Sequence, residues 1–156
     1  MNISDILKLN TLKLNLAAKD KEEVMDEMLD ILIKAKKLNS KYKKKVKKAL
    51  MDRESLGSTG IGQNIGIPHA KDDSIKKIVS CCAISQEGVD FDALDGEPVY
   101  VFFMILAPRN ATGEHLKALA KISRLIRDKF FRASLMRCKT PKELLAILKR
   151  EEEELK

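Results

Sequence analysis

Residues 53–70 read Arg53-Glu-Ser-Leu-Gly-Ser-Thr-Gly-Ile-Gly-Gln-Asn-Ile-Gly-Ile-Pro-His69-Ala70. Four glycines, Gly57, Gly60, Gly62 and Gly66, fall within ten residues. So dense a set suits a backbone that needs positive φ or must pass close to another group. The segment then changes to apolar alternation at Ile61, Ile65 and Ile67. That pattern predicts a short strand over residues 61–67, with His69 at its end behind a rigid proline. Neutral imidazole, with an unperturbed pKa of about 6.5, is a nitrogen nucleophile near pH 7. Fixed beside a glycine-rich loop and Arg53, it has what reversible phosphorylation of histidine requires.

Outward from this segment, residues 11–16 alternate and predict a strand. Asp20 with Glu23 has the form of a capping box that opens a helix to about residue 37, with Val24, Met28, Ile31, Leu32 and Ala35 at helical spacing. Ser40 is expected to cap a second helix that ends near Arg53 and turns Tyr42, Val46, Ala49 and Leu50 inward. Residues 78–84 read as a strand. Residues 99–106 are a continuous apolar run, so they belong to a central strand buried on both faces, with Asp95-Gly96 marking the turn before it. Thr112 is expected to cap a helix over 113–128, and residues 130–137 form a short helix or turn. Thr140-Pro-Lys-Glu143 opens a last helix to about residue 153. Strands and helices intermix without strict βαβ alternation, which predicts an α/β fold with a mixed sheet and helices on both faces.

The 156 residues suit one domain with a sizeable core, and 44% hydrophobic with 34% charged residues places the chain among globular proteins. No segment has the length of a membrane helix and no apolar run at the start suits a signal peptide. Three cysteines, two of them adjacent at Cys81 and Cys82, suit reduced thiols in the cytoplasm rather than a disulfide framework. The net charge is +7, much of it in Lys41-Tyr-Lys-Lys-Lys-Val-Lys-Lys48. That run reads as a solvated helix face; the competing reading is a nucleic-acid-binding module with His69 purely structural.

His69 is the candidate nucleophile. His115, expected at the third position of its helix, is either a neutral donor to phosphoryl oxygens or a surface histidine at a helix start. Arg53 either clamps phosphoryl oxygens or simply ends a helix. Ser58 and Thr59 supply hydroxyl or amide donors or serve in the turn alone. Gly60-x-Gly62 lacks the third glycine of a dinucleotide fingerprint, no Gly-Lys-Ser/Thr exists, and two histidines without clustered cysteines make a poor metal site. No metal and no cofactor are expected.

These residues resemble the active-site segment of the fructose/mannitol-type enzyme IIA domains of the bacterial phosphoenolpyruvate:sugar phosphotransferase system, whose pattern is R-E-x-x-G-S-T-G-I-G-x-G-x-A-I-P-H. The match runs from Arg53 through Gly62 and resumes at Ile67-Pro68-His69. Asn64 stands where the family usually has Gly, and Gly66 where it usually has Ala. Glu87-Gly-Val-Asp-Phe-Asp-Ala-Leu-Asp-Gly-Glu-Pro-Val99, residues 102–108 and His115-Leu-Lys-Ala-Leu-Ala are similar to later family segments. The resemblance implies a three-layer α/β/α sandwich with a central mixed β-sheet, forming a single domain over residues 1–156. It implies that His69 is the phosphoacceptor, that His115 and Arg53 are active-site partners, and that Ser58, Thr59 and Gly60 bind phosphate. The donor would be the phosphocarrier protein HPr. The next partner would be a cysteine of an enzyme IIB domain in sugar uptake, or regulatory proteins; the segment at 117–128 resembles the nitrogen-regulatory branch. No specific nucleic acid and no membrane insertion are implied.

Overall fold

The computed structural model describes residues 2–156. In chain order the elements are α1 (Ile3–Ile6), β1 (Leu12–Lys13), α2 (Lys21–Lys34), α3 (Lys43–Ser55), β2 (Gly60–Gly62), β3 (Ile65–Gly66), β4 (His69–Lys71), β5 (Val79–Val89), β6 (Val99–Ala107), α4 (Thr112–Leu125), α5 (Lys129–Arg137) and α6 (Pro141–Glu154). Short 3-10 turns lie at Leu9–Thr11 and Ser40–Tyr42.

The continuous apolar run becomes β6, buried throughout except for a half-buried Tyr100. β5 pairs with it antiparallel, with Cys82 opposite Phe103. β1 adds to β5 in parallel. β3 and β4 add to the other edge of β6 in parallel, and β2 closes antiparallel on β3. The sheet is therefore mixed, as the irregular alternation of strands and helices predicts, and the apolar run is its central strand. Successive residues of β6 serve opposite faces. Val101, Phe103 and Ile105 pack with Ala118 and Ile122 of α4, Leu135 of α5 and Leu144 of α6. Phe102, Met104 and Leu106 pack with Met28 and Leu32 of α2 and with Val46 and Leu50 of α3. One core on each face gives three layers. Each large side chain buried this way stabilises the fold by about 1.5–3 kcal/mol.

Helix ends follow local chemistry. The Asp20 side chain accepts from Glu23 N–H at 2.8 Å and starts α2. Lys36, at φ 60°, ends the helix earlier than residue 37, and its left-handed turn lets Lys37 N–H reach Leu32 C=O at 2.8 Å. Thr140 accepts from Glu143 N–H at 3.1 Å, with Pro141 in the first turn of α6.

Residues 61–67 are not one strand. Gln63 and Asn64 have φ of 58° and 67°, so the chain makes a two-residue hairpin turn between β2 and β3. From Ile65 it then runs along β6 in one line. Ile65 lies opposite Val101 and His69 opposite Ile105, the same offset, so the register passes through Pro68 unbroken. The ladder loses one bond because Pro68 has no N–H, although its C=O accepts from Ile105 N–H at 3.0 Å; Ile67 N–H faces the other edge and donates to Thr59 C=O at 2.9 Å. His69 therefore opens a strand instead of ending one.

Other boundaries move as well. Asn39, not Ser40, caps the 3-10 turn, accepting from Lys41 N–H at 3.0 Å, and α3 starts later, at Lys43. Ala111, not Thr112, takes the capping position of α4; the Thr112 hydroxyl instead accepts from Lys71 Nζ at 3.2 Å. The strand expected over 11–16 shrinks to Leu12–Lys13, since Thr11 belongs to a 3-10 turn. α1 is held by the Glu152 carboxylate, which accepts from Ile3 N–H.

The two departures from the family pattern fit their surroundings. Asn64 Nδ2 donates to Pro98 C=O at 2.8 Å, and Asn64 C=O accepts from Tyr100 and Val101 N–H at 2.9 and 3.1 Å. A Cβ at Gly66 would lie 3.1 Å from the Phe102 ring, closer than ordinary contact. Asn64→Gly relieves left-handed strain of about 1 kcal/mol but loses a side-chain hydrogen bond of similar worth. Urea unfolding should find it within about 0.5 kcal/mol of the parent. Asn64→Val has both losses and should cost about 2–3 kcal/mol; equal stability of the two variants would contradict the turn geometry.

Candidate active site

β4 has β6 on one side and a cleft of about 540 Å³ on the other, between α3 and α4. The strand parity sets what faces it. Ile65, Ile67, His69 and Lys71 alternate onto the face that carries α4, so His69 stands where the next core isoleucine would be. Across from it, α4 turns His115, Ala118, Ile122 and Leu125 inward. The two imidazoles meet edge to face, with ring centroids 5.3 Å apart and planes at 77°. Arg53, in the last turn of α3, completes the group, and its guanidinium donates to Gly57 C=O at 2.9 Å.

The state of each ring follows from its partners. His69 Nδ1 lies 2.8 Å from Ile67 C=O. A carbonyl only accepts, so Nδ1 carries the proton and Nε2 keeps its lone pair. Burial holds the His69 pKa below the ordinary imidazole range, the Ile67 carbonyl opposes this, Arg53 adds to it, and Glu54 opposes it more weakly. His115 is 5% exposed, and its Nδ1 has no hydrogen-bond partner. Burial, then His69 and Lys71, push its pKa down to about 4. Both rings are therefore neutral at pH 7.

The positive charge of the site comes from elsewhere. Arg53, Lys71 and Arg109 all line the cleft. Lys71 follows His69 by two residues on the same strand face, a period-two signal present in the sequence. Arg109 carries no such signal, lying in the loop after β6, where it pairs with Asp73 at 3.1 Å. Leu116 and Leu119 of α4 give the cleft an apolar wall, Leu116 being 60% exposed.

The structure brings His69, His115 and Arg53 together but engages the other expected residues differently. Ser58 Oγ donates to Phe91 C=O at 2.9 Å and accepts from Gly60 N–H at 3.0 Å. Thr59 is 3% exposed, and its hydroxyl and amide both donate to the Glu54 carboxylate. Ser58, Thr59 and Gly60 shape the loop, and none lines the cleft. Lys71 and Arg109, outside the site residues expected from the sequence, do line it. His115 occupies the fourth position of α4, not the third, so its N–H is already bonded to Ala111 C=O at 3.0 Å and the ring alone faces His69.

Residues 5–151 match the family described as phosphoenolpyruvate-dependent sugar phosphotransferase system, EIIA 2. The fructose-specific EIIABC component of Bacillus subtilis is 40% identical over 95% of this chain, which spans 23% of that protein's length. The nitrogen regulatory protein of Bradyrhizobium diazoefficiens is 32% identical over 95% of both chains. The crystal structure of nitrogen regulatory protein IIA-Ntr from Neisseria meningitidis superposes with a TM-score of 0.85 at 37% identity, covering 94% of this chain and 98% of that one.

The neutral state of His115 has a thermodynamic consequence. Its folded pKa of about 4 lies below the unfolded value of 6.5, so the unfolded chain binds more protons between them. Stability is full above about pH 6.5 and falls as pH drops toward 4, by up to about 3 kcal/mol from this residue. Urea unfolding of the parent and of His115→Asn from pH 7 to pH 4 measures the difference. Parallel curves for the two proteins would show that His115 is not held neutral by the fold.

Proposed function

Because this chain belongs to the EIIA 2 family of the phosphoenolpyruvate-dependent sugar phosphotransferase system, whose domains are phosphoryl-transfer carriers, we propose that it takes its phosphoryl group on Nε2 of His69. The observation that carries the reading is the Nδ1–H to Ile67 C=O bond at 2.8 Å, which leaves Nε2 as the ring nitrogen with a free lone pair. The donor is the phosphocarrier protein HPr. Nε2 attacks phosphorus roughly in line as the bond from phosphorus to the donor imidazole breaks, and that imidazole departs with the electron pair. The product ring gains positive charge, which the Ile67 carbonyl stabilises. Arg53 and Lys71 balance the charge on the phosphoryl oxygens. His115, neutral and edge-on to His69, offers a ring N–H without adding a competing cation.

Downstream, we favour the regulatory branch, in which the phosphorylation state is read by regulatory proteins. The 32% identity to a nitrogen regulatory protein over 95% of both chains supports it. The 40% identity to a fructose-specific component keeps donation to an enzyme IIB cysteine as the second reading. A nucleic-acid role is disfavoured by where the lysines go. Lys43 pairs with Asp30, Lys47 with Glu22 and Asp26, Lys45 with Asp72 and Lys48 with Asp52. A cytoplasmic location is supported by three free cysteines, and among the described residues no helix is long and apolar enough to cross a membrane.

Incubation with phosphoenolpyruvate, enzyme I and HPr should add one phosphoryl group, labile in acid and stable in base. Intact-mass spectrometry should find it absent from His69→Ala; stoichiometric labelling of that variant would remove His69 from the reaction. Arg53→Ala should remain folded and exchange phosphate about a hundredfold more slowly, and a wild-type rate would exclude Arg53 from the phosphate site. The branches separate in a quenched transfer assay to purified IIB from the same cell. Slow or no transfer is expected; rapid, near-complete transfer would reject the regulatory reading in favour of sugar uptake.

A further inference from the structure

We propose that Glu54 is a positioning residue for His69, fixing its ring and tautomer through a chain of hydrogen bonds that begins at a buried carboxylate. This rests on the reading of His69 as the phosphoryl acceptor. Glu54 follows Arg53 in the last turn of α3 but is 6% exposed. Its carboxylate pairs with Lys21 Nζ at 3.0 Å. It also accepts from Thr59 N–H at 3.2 and 3.3 Å and from the Thr59 hydroxyl. Thr59 C=O in turn accepts from Ile67 N–H at 2.9 Å. Ile67 C=O accepts from His69 Nδ1 at 2.8 Å. Thr59 and Ile67 each donate through their own N–H and accept through their own C=O, so the two residues link the carboxylate to the imidazole.

The edge of the strand that faces away from β6 gives the chain its purpose. Ile67 N–H faces away from β6, and Pro68 has no N–H at all. Ile67, whose C=O orients His69, therefore has Thr59 as the anchor of its N–H, and Thr59 is held by Glu54. An apolar side chain would fill the same space at less desolvation cost. What the carboxylate adds is a fixed acceptor for three donors. Without it the Ile67 carbonyl is free to leave Nδ1, both tautomers populate, and part of the protein carries its proton on Nε2, where no lone pair remains to attack phosphorus.

Glu54→Gln tests this at constant volume. Whichever way the amide sits, its NH2 faces either the Lys21 ammonium or the Thr59 N–H. Nitrogen-15 NMR of the unphosphorylated protein reads the His69 tautomer, and quenched-flow phosphorylation by phospho-HPr reads kcat and KM. The parent is expected to show Nδ1–H alone. The variant should show mixed tautomers, a kcat lower by about tenfold or more, and an unchanged KM for the donor. A folded Glu54→Gln with the parent tautomer and kcat would overturn the proposal. If Glu54→Gln does not fold by circular dichroism, Thr59→Val is read in the same way. It removes one of the bonds to Glu54 and should move both readouts in the same direction; parent-like behaviour would again overturn it. The tautomer is read without phosphate, so the two ideas fail separately. A parent protein that takes no phosphate on His69 defeats the acceptor reading, whereas tautomer loss in Glu54→Gln still upholds the role of Glu54.

Discussion

The pairing of residues 65–71 with β6 holds at a constant offset through a proline, and the site depends on that. A shift of one residue would send His69 into the opposite core and put Ala70 in its place on the α4 face, because side chains alternate strictly along a strand. The register is secured from both ends. Ile65 and Ile67 are buried on the α4 face, while Ala70 is buried on the α3 face. Between them Pro68 gives no N–H to β6, but its C=O still accepts from Ile105 N–H at 3.0 Å. Strand parity points the Ile67 N–H and C=O away from β6, toward Thr59 and the His69 ring.

The proposed phosphoryl transfer sets the cleft two demands that a single group could not meet. A nucleophilic imidazole must be neutral, whereas a dianionic phosphoryl group needs positive charge. Burial keeps His69 and His115 neutral, and the permanent cations stand at the rim on long side chains. Arg53 and Lys71 gain from the partly desolvated site because charge interactions strengthen as water is excluded. The unpartnered Nδ1 of His115 fits the same arrangement, as a polar atom kept inside a site that receives a polar guest.

Much of this is visible in the residues themselves. The apolar run at 99–106 announces the central strand, Asp20 and Thr140 announce their helices, and the segment from Arg53 to His69 announces the candidate nucleophile. What local pattern conceals is tertiary. The four residues of α1 are too few to show a helical period, and its partner Glu152 lies at the other end of the chain. The turn at Gln63-Asn64 was masked because isoleucines on either side kept an alternating appearance across it. Thr112 has the side chain of a cap, but Lys71 engages its hydroxyl. Ser58 and Thr59 read in the sequence either as donors to a ligand or as turn residues, and the folded loop shows the Ser58 hydroxyl donating to Phe91 C=O and the Thr59 hydroxyl to Glu54.

The two walls of the cleft belong to different cores: α4 packs into the one beneath Phe103, α3 into the one beneath Phe102. The sheet edge is the seam between them. Each wall can therefore accumulate substitutions against its own core without repacking the other. A lineage could recast the α4 surface to suit a new macromolecular client while α3 continued to present Arg53 unchanged. The fold thus resembles a vice with one fixed jaw and one exchangeable jaw, and a chemistry shared between transport and signalling relatives is what such modularity would permit.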